Sequence, residues 1–268
     1  MKNIPLLLLV GLCVIISHSG FGQSFMKADH IPVFKDESQL QMPWLGGLNN
    51  PQFSAADLNK DGIEDLFVFD RKDNKVLTFL NGGTANTIDY TYAPEFQANF
   101  PDLDAWALLK DYNCDAVPDL FTSEDNWVRV FDGYYNTEDE LSFEFVYDTL
   151  FYNDPYDQQF PVSYLSIVPV DIPAIEDINN DGDIDILTFN LSGGYLEYFE
   201  NQSQELGLGC DTMIFEIVSP CFGEFYESGI QQSVDLDSCG VSLDSMVVSG
   251  FAERSGMHPG STTLLTIT

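Results

Sequence analysis

The sequence predicts an all-β chain assembled from a repeated unit of four antiparallel strands. Helical periodicity is almost absent beyond the first residues. Short runs rich in Val, Ile, Phe, Tyr and Thr alternate with clusters of Gly, Asn, Asp and Pro, the pattern of strands and turns. An acidic loop recurs three times, each time before an apolar run: Asp57–Asp65 then Leu66–Phe69, Asp111–Asp119 then Leu120–Phe121, and Asp177–Asp185 then Ile186–Phe189. Beyond each loop an aromatic returns in near-constant register, with Phe79, Phe131 and Phe199 falling 22, 20 and 22 residues after the first Asp. Independent turns would not keep that spacing, so the chain reads as a repeat protein.

The elements of each unit follow in order. A short apolar run precedes the loop: Phe53–Ala56, Trp106–Leu109 and Pro173–Ile175. The second strand is Leu66–Phe69, Leu120–Thr122 and Ile186–Phe189, and a polar turn follows at Arg71–Lys75, Glu124–Asn126 and Leu191–Gly194. Third strands run Val76–Phe79, Val128–Phe131 and Leu196–Phe199; the candidates for fourth strands are Thr87–Tyr92, Leu141–Tyr147 and Thr212–Val218. Four antiparallel strands every 50 to 70 residues or so suit the blades of a β-propeller, each stabilised by stacking on its neighbours. The expected blades cover residues 51–100, 101–165 and 170–220, with an insertion at 220–257 and the start of a fourth blade at 258–268. A lone strand in residues 30–50 is expected to close the ring. The fold class is therefore a partial propeller of about three to four blades, and the chain reads as an incomplete copy of a longer one.

Residues 1–22 read as a secretory signal peptide: Lys2, an apolar run from Ile4 to Ile16, then the small residues Ser19–Gly22. The run is too short to span a bilayer, which takes about 20 apolar residues, and no other segment qualifies. Export makes disulfides possible for Cys114, Cys210, Cys221 and Cys239. Four cysteines allow three pairings, and the sequence does not choose among them, although Cys221 with Cys239 closes a plausible loop. His30 and His258 have no partner at zinc-ligand spacing. The formal net charge of -33 and the lack of basic patches exclude nucleic-acid binding.

The acidic loops carry the chemistry. Asp or Asn stands at positions 1, 3, 5 and 9, with glycine at position 6 in two of the three. Hard oxygen ligands at alternating positions suit calcium, and the glycine permits the bend that turns them inward. The expected ligands are Asp57, Asn59, Asp61, the Ile63 carbonyl and Asp65 in the first loop. The second offers Asp111, Asn113, Asp115, the Val117 carbonyl and Asp119, and the third Asp177, Asn179, Asp181, the Asp183 carbonyl and Asp185. The second is expected to bind more weakly, since Ala116 replaces the glycine and Pro118 stiffens position 8. An EF-hand is excluded: position 12 is Val68, Thr122 or Thr188, inside a strand, where a bidentate Glu is required.

The stretches ADLNKDGIEDLFVF, KDYNCDAVPDLFT and EDINNDGDIDILTF resemble the FG-GAP and VCBS repeats of integrin α-subunit-like propellers, above all those of large secreted bacterial proteins. The likeness covers essentially the whole mature chain, 23–268, and departs from the pattern at Ala116. It implies calcium-stabilised blades, export, and a binding or adhesion role toward an extracellular protein or carbohydrate. Catalysis is not expected: there is no Gly-x-Ser-x-Gly elbow, no phosphate-cradling loop and no His-based constellation. The alternative is a fragment of a propeller-type polysaccharide hydrolase or lyase, because Asp and Glu abound and could supply the paired carboxylates of glycoside cleavage. Tyr134, Tyr135, Tyr152 and Tyr156 lie in or near links, where they suit either strand packing or stacking on a sugar ring.

Overall fold

The computed structural model describes residues 31–40, 42–191, 194–228 and 233–239. The expected signal peptide, the start of a fourth repeat and the insertion beyond residue 239 lie outside the described residues. The chain divides into two compact units, residues 1–47 and 48–268. No helix among the described residues is long and apolar enough to cross a membrane.

In the first unit β1 (Phe34–Lys35) pairs antiparallel with β2 (Ser38–Gln39) in a sheet of its own. Asp36 and Glu37 both take positive φ, 51° and 71°, the pair of left-handed residues that a two-residue hairpin turn demands. The single closing strand expected in residues 30–50 is thus replaced by a small hairpin, because this turn sends the chain straight back.

The second unit is all-β and built on three antiparallel meanders. The first sheet has the order β3 (Pro51–Ala56), β4 (Asp65–Asp70), β5 (Lys75–Asn81), β6 (Tyr90–Tyr92). The second repeats it with β7 (Asp104–Lys110), β8 (Asp119–Glu124), β9 (Trp127–Tyr135) and β10 (Leu141–Tyr147). Two short strands follow, β11 (Phe151–Asn153) and β12 (Val162–Tyr164). The third sheet repeats the meander with β13 (Ala174–Glu176), β14 (Asp185–Phe189), β15 (Leu196–Asn201) and β16 (Phe215–Ser219). Each strand predicted for the three repeats falls on an observed one, with ends displaced by a few residues. The expected span 101–165 of the second unit is corrected: β11 joins the third sheet, parallel to β16 with Tyr152 opposite Phe215, and β12 pairs with β11. The driving force is burial, since Tyr152 packs its ring on Phe199 at 4.8 Å and the pair covers an edge that would otherwise lie open.

Alternating side chains carry the three sheets into layers. Phe67 and Phe69 of the first sheet meet Ala107, Leu109, Leu120 and Phe131 of the second. From the other face of the second sheet, Trp106, Phe121, Val128 and Val130 meet Ile175, Ile186, Phe199 and Phe215 of the third. Burying each Val, Leu, Ile or Phe among them contributes about 1.5–3 kcal/mol. The short 3-10 helix Pro94–Asn99, absent from the predicted elements, leads into Phe100, which stacks on Phe67 at 4.7 Å between the first two sheets.

The remaining face of the third sheet is covered by the chain that follows. Ala174, Leu187, Phe189, Leu196 and Tyr198 pack against Phe222 and Phe225, which lead into the hairpin β17 (Phe225–Glu227) and β18 (Val234–Leu236). The disulfide Cys221–Cys239 closes the base of this hairpin. Glycine is required at Gly194: its φ is 102°, and a Cβ there would lie 2.3 Å from the Tyr226 ring.

The first strands of the three sheets run side by side, joined by side chains rather than by a ladder. Gln52 Oε1 accepts from Ala107 N at 3.0 Å and Ser54 Oγ from Leu109 N at 3.2 Å. Lys110 Nζ and Glu176 Oε1 form an ion pair across the second and third. At the other end of these strands Arg71 donates to the carbonyls of Ala105 at 2.5 Å and Pro169 at 2.6 Å. All three acidic loops consequently occupy the same corner of their sheets.

Candidate metal centre

Each acidic loop joins the first and second strands of its sheet, starting beyond the last rung of the ladder. Ala56 stands opposite Asp65, Lys110 opposite Asp119, and Glu176 opposite Asp185. Within the loop the side chains fold back on the backbone. The Asp57 carboxylate accepts from Asp61 N at 3.1 Å and Gly62 N at 2.7 Å; Asp177 does the same with Asp181 N and Gly182 N, both at 3.1 Å. Position 3 accepts through its amide oxygen from the position 5 N–H: Asn59 from Asp61 at 3.3 Å, Asn113 from Asp115 at 3.1 Å, Asn179 from Asp181 at 3.0 Å. Position 5 in turn accepts from position 7: Asp61 from Ile63 at 2.8 Å, Asp115 from Val117 at 2.8 Å, Asp181 from Asp183 at 3.1 Å. Positions 1, 3 and 5 are therefore gathered at each loop.

Backbone conformation follows the predicted pattern. Position 6 is left-handed in all three, with φ of 83° at Gly62, 68° at Ala116 and 102° at Gly182. Alanine adopts that region only at a cost, while glycine does so freely. Ala116→Gly should thus raise stability by about 0.5–1 kcal/mol, or about 2–4 °C in melting temperature for each kcal/mol in a chain of this size. An unchanged or lower melting temperature in differential scanning calorimetry would count against strain at Ala116.

The second loop also differs at position 1. Ala116 N donates to Asp111 Oδ2 at 2.9 Å, but the buried Asp111 Oδ1 has no hydrogen-bond partner. An acceptor without a donor, among oxygen ligands only, fits a hard divalent cation such as calcium.

Position 9 behaves differently from the other expected ligands. Asp65, Asp119 and Asp185 are buried, at 1 %, 0 % and 0 % exposure, and each carboxylate bridges the loop to the third strand. Asp65 accepts from Leu58 N at 2.9 Å and Asn81 N at 2.7 Å. Asp119 accepts from Tyr112 N at 3.0 Å and Gly133 N at 2.8 Å. Asp185 accepts from Ile178 N and Asn201 N, both at 2.9 Å, and from Tyr198 OH at 3.0 Å. A carboxylate offers about four lone-pair sites, so each retains capacity for an ion while it pins the loop. Burial raises the Asp65 pKa and pushes Asp119 up to about 7 and Asp185 up to about 6, against their backbone hydrogen bonds.

Comparison with protein-family models, curated proteins and solved structures finds no match to this chain.

The loops are also fastened to the next sheet, through position 4. Lys60 and Cys114 both take left-handed φ, 58° and 62°, and both reach the link between the third and fourth strands of the sheet that follows. Lys60 pairs with Asp139 at 2.8 Å, while Cys114 forms a disulfide with Cys210. An ion pair and a covalent bond thus occupy equivalent places. Two disulfides are compatible with an oxidising, extracellular setting.

Two side chains at the third loop, one of them from outside it, were not among the expected ligands. Asp183 was expected to offer only its backbone carbonyl, yet its carboxylate is buried at 2 % exposure and burial pushes its pKa up to about 6. Glu205, from the link between β15 and β16, comes to the same place: Asp181, Asp183 and Glu205 each bring a carboxylate oxygen within 4.8 Å of the others. The acid at position 7 was a readable signal, since Ile63 and Val117 stand there in the other loops. Glu205 had none, because that link has a different length in each repeat.

Proposed function

We propose that this chain is a secreted, calcium-stabilised repeat protein of the β-propeller type that serves as a binding or adhesion module, with calcium in a structural rather than a catalytic role. What carries the reading is the threefold recurrence of one unit: a four-stranded meander with an acidic oxygen-rich loop at the same corner, stacked in chain order with the first strands adjacent. Stacking of this kind is how repeated sheets bury faces that none can bury alone. The loops lie at the ends of the first strands, where a bound cation would hold the corner of each unit. Equilibrium dialysis followed by ion counting tests the calcium assignment: retention of calcium at two or more of the loops supports it, and calcium-free protein after dialysis against calcium overturns it.

The binding role draws on an exposed aromatic group. Trp127 and Phe151 flank Tyr164, with ring centroids 5.1 Å and 4.9 Å from it, and all three rings are exposed. Contiguous exposed rings of this kind mark interaction surfaces, and flat rings suit the apolar faces of sugars. Among the tyrosines in or near links, Tyr134 and Tyr156 are exposed. Tyr135 is half-buried and donates to Asp57 O at 3.0 Å, and Tyr152 packs in the core. Trp127→Ala and Phe151→Ala should each weaken retention on a bound polysaccharide about tenfold, equivalent to about 1.4 kcal/mol. Wild-type retention by both variants, measured by pull-down on a panel of insoluble polysaccharides, would move the binding surface elsewhere. Release of soluble sugar by the wild-type protein would favour the hydrolase or lyase alternative.

A further inference from the structure

We propose that Glu205 and the Asp183 carboxylate join Asp181 of the third acidic loop in holding a divalent cation, which ties that loop to the link between β15 and β16. The three carboxylates lie within 4.8 Å of one another, and the ion pairs of the described residues involve none of them. Proximity of acids alone would not make a site. The deciding observation is Asp183, which is 2 % exposed and whose Oδ1 is buried without an N–H or hydroxyl donor, its carboxyl lying against that of Asp181. Its other oxygen is engaged, accepting from Ser203 Oγ at 2.6 Å and Gln204 N at 3.1 Å. A buried carboxylate oxygen left without a donor calls for a cation, and hard oxygen ligands call for one of the calcium type.

The link is built to present Glu205. Leu206 N donates to Gln202 O at 3.0 Å and Leu208 N to Ser203 O at 2.9 Å, winding residues 202–208 into a tight turn. That turn directs Ser203 and Gln204 to Asp183 and brings Glu205, itself exposed, beside Asp181 and Asp183 to complete the set. The other two loops have no equivalent, because position 7 is Ile63 or Val117. The Cys114–Cys210 disulfide leaves the same link, and both of its sulfurs lie within 3.8 Å of Gly182 O. Ion and disulfide would therefore staple the link to two successive acidic loops.

The site shares Asp181 with the third loop but does not require the first or second loop to bind calcium, and the test separates it from the first. Full-length chain is stripped with chelator and titrated with calcium chloride, counting bound ions and their affinities. Glu205→Gln, a change at an exposed side chain, is expected to lose about one equivalent or to hold one ion at least tenfold less tightly. Asp183→Asn should show the same loss. Wild-type stoichiometry and wild-type affinities in Glu205→Gln overturn the proposal, whether or not Asp183→Asn folds. Asp57→Asn reports on the first loop alone: a normal ion count there speaks against calcium in that loop and leaves the Glu205 result standing.

Discussion

Chelation is expected to lower the melting temperature by about 10–20 °C, and added calcium should restore it. A ligand present at a hundredfold over its Kd stabilises the folded state by about 2.7 kcal/mol per site. Each kcal/mol is worth about 2–4 °C in a chain of this size, and the first and third loops both have glycine at position 6. Charge acts in the same direction. With a formal net charge of -33, the metal-free chain repels itself, and the repulsion is concentrated where the carboxylates of each loop converge. Magnesium should substitute poorly, since it demands near-octahedral geometry and dehydrates reluctantly. Coincident melting curves with and without chelator would sink the calcium assignment.

Proton linkage gives the same prediction an independent sign. Asp119 is raised to about 7, and Asp183 and Asp185 to about 6, each chiefly by burial. A carboxyl group whose pKa is higher folded than unfolded binds protons more tightly in the native state. It favours folding below the unfolded value, and that contribution is lost as the pH rises through the folded value. The chelated protein should accordingly gain stability as the pH falls through about 7 and about 6. Calcium competes with those protons, so the gap between the calcium-loaded and chelated melting curves should narrow over the same interval. Asp70 works in the opposite sense, its pKa lowered by the backbone hydrogen bond from Asn49, but its contribution fades only at more acidic pH. A gap that widens on acidification would contradict burial as the cause of the raised values.

Much of the fold was legible because the repeat put the same signal in the sequence three times. The loops, the strands beyond them and the register of Phe79, Phe131 and Phe199 fixed the middle strands. These are local patterns of alternation and turn chemistry. What was not legible depends on contacts distant in sequence. Nothing in Phe151–Asn153 says that it will lie parallel to Phe215–Ser219, since that pairing answers an open edge created elsewhere. The partner of Cys114 was open for the same reason. Ala116 shows the converse case: its residue type argued against a left-handed position, yet the loop imposes φ of 68°, so the surrounding structure overrides local preference. At the candidate site, the alternation of Asp and Asn revealed the oxygen ligands but hid the division of labour among them, in which position 9 serves the backbone.

That division of labour predicts a large effect at Asp185. Its carboxylate accepts from Ile178 N, Asn201 N and Tyr198 OH, so that one side chain ties the loop to the third strand. Asp185→Ala would leave two buried donors and one part-buried donor without an acceptor, and an unsatisfied buried donor costs about 1–3 kcal/mol. Partial relaxation around the small side chain brings the expected loss to about 3–5 kcal/mol, in the range of exceptional single substitutions. Asp185→Asn should be intermediate, because it keeps one acceptor oxygen but turns an amide N–H₂ toward a backbone N–H. Comparing calcium-loaded and chelated protein separates pin from ligand. If Asp185 acted only through calcium, the Ala variant in chelator would melt with the wild type in chelator. The hydrogen bonds require instead that most of the destabilisation persist without calcium, with Asp185→Ala in chelator the least stable of the four samples. Urea unfolding of the four gives that ordering directly, and equal midpoints for the two chelated proteins would return position 9 to the role of a simple metal ligand.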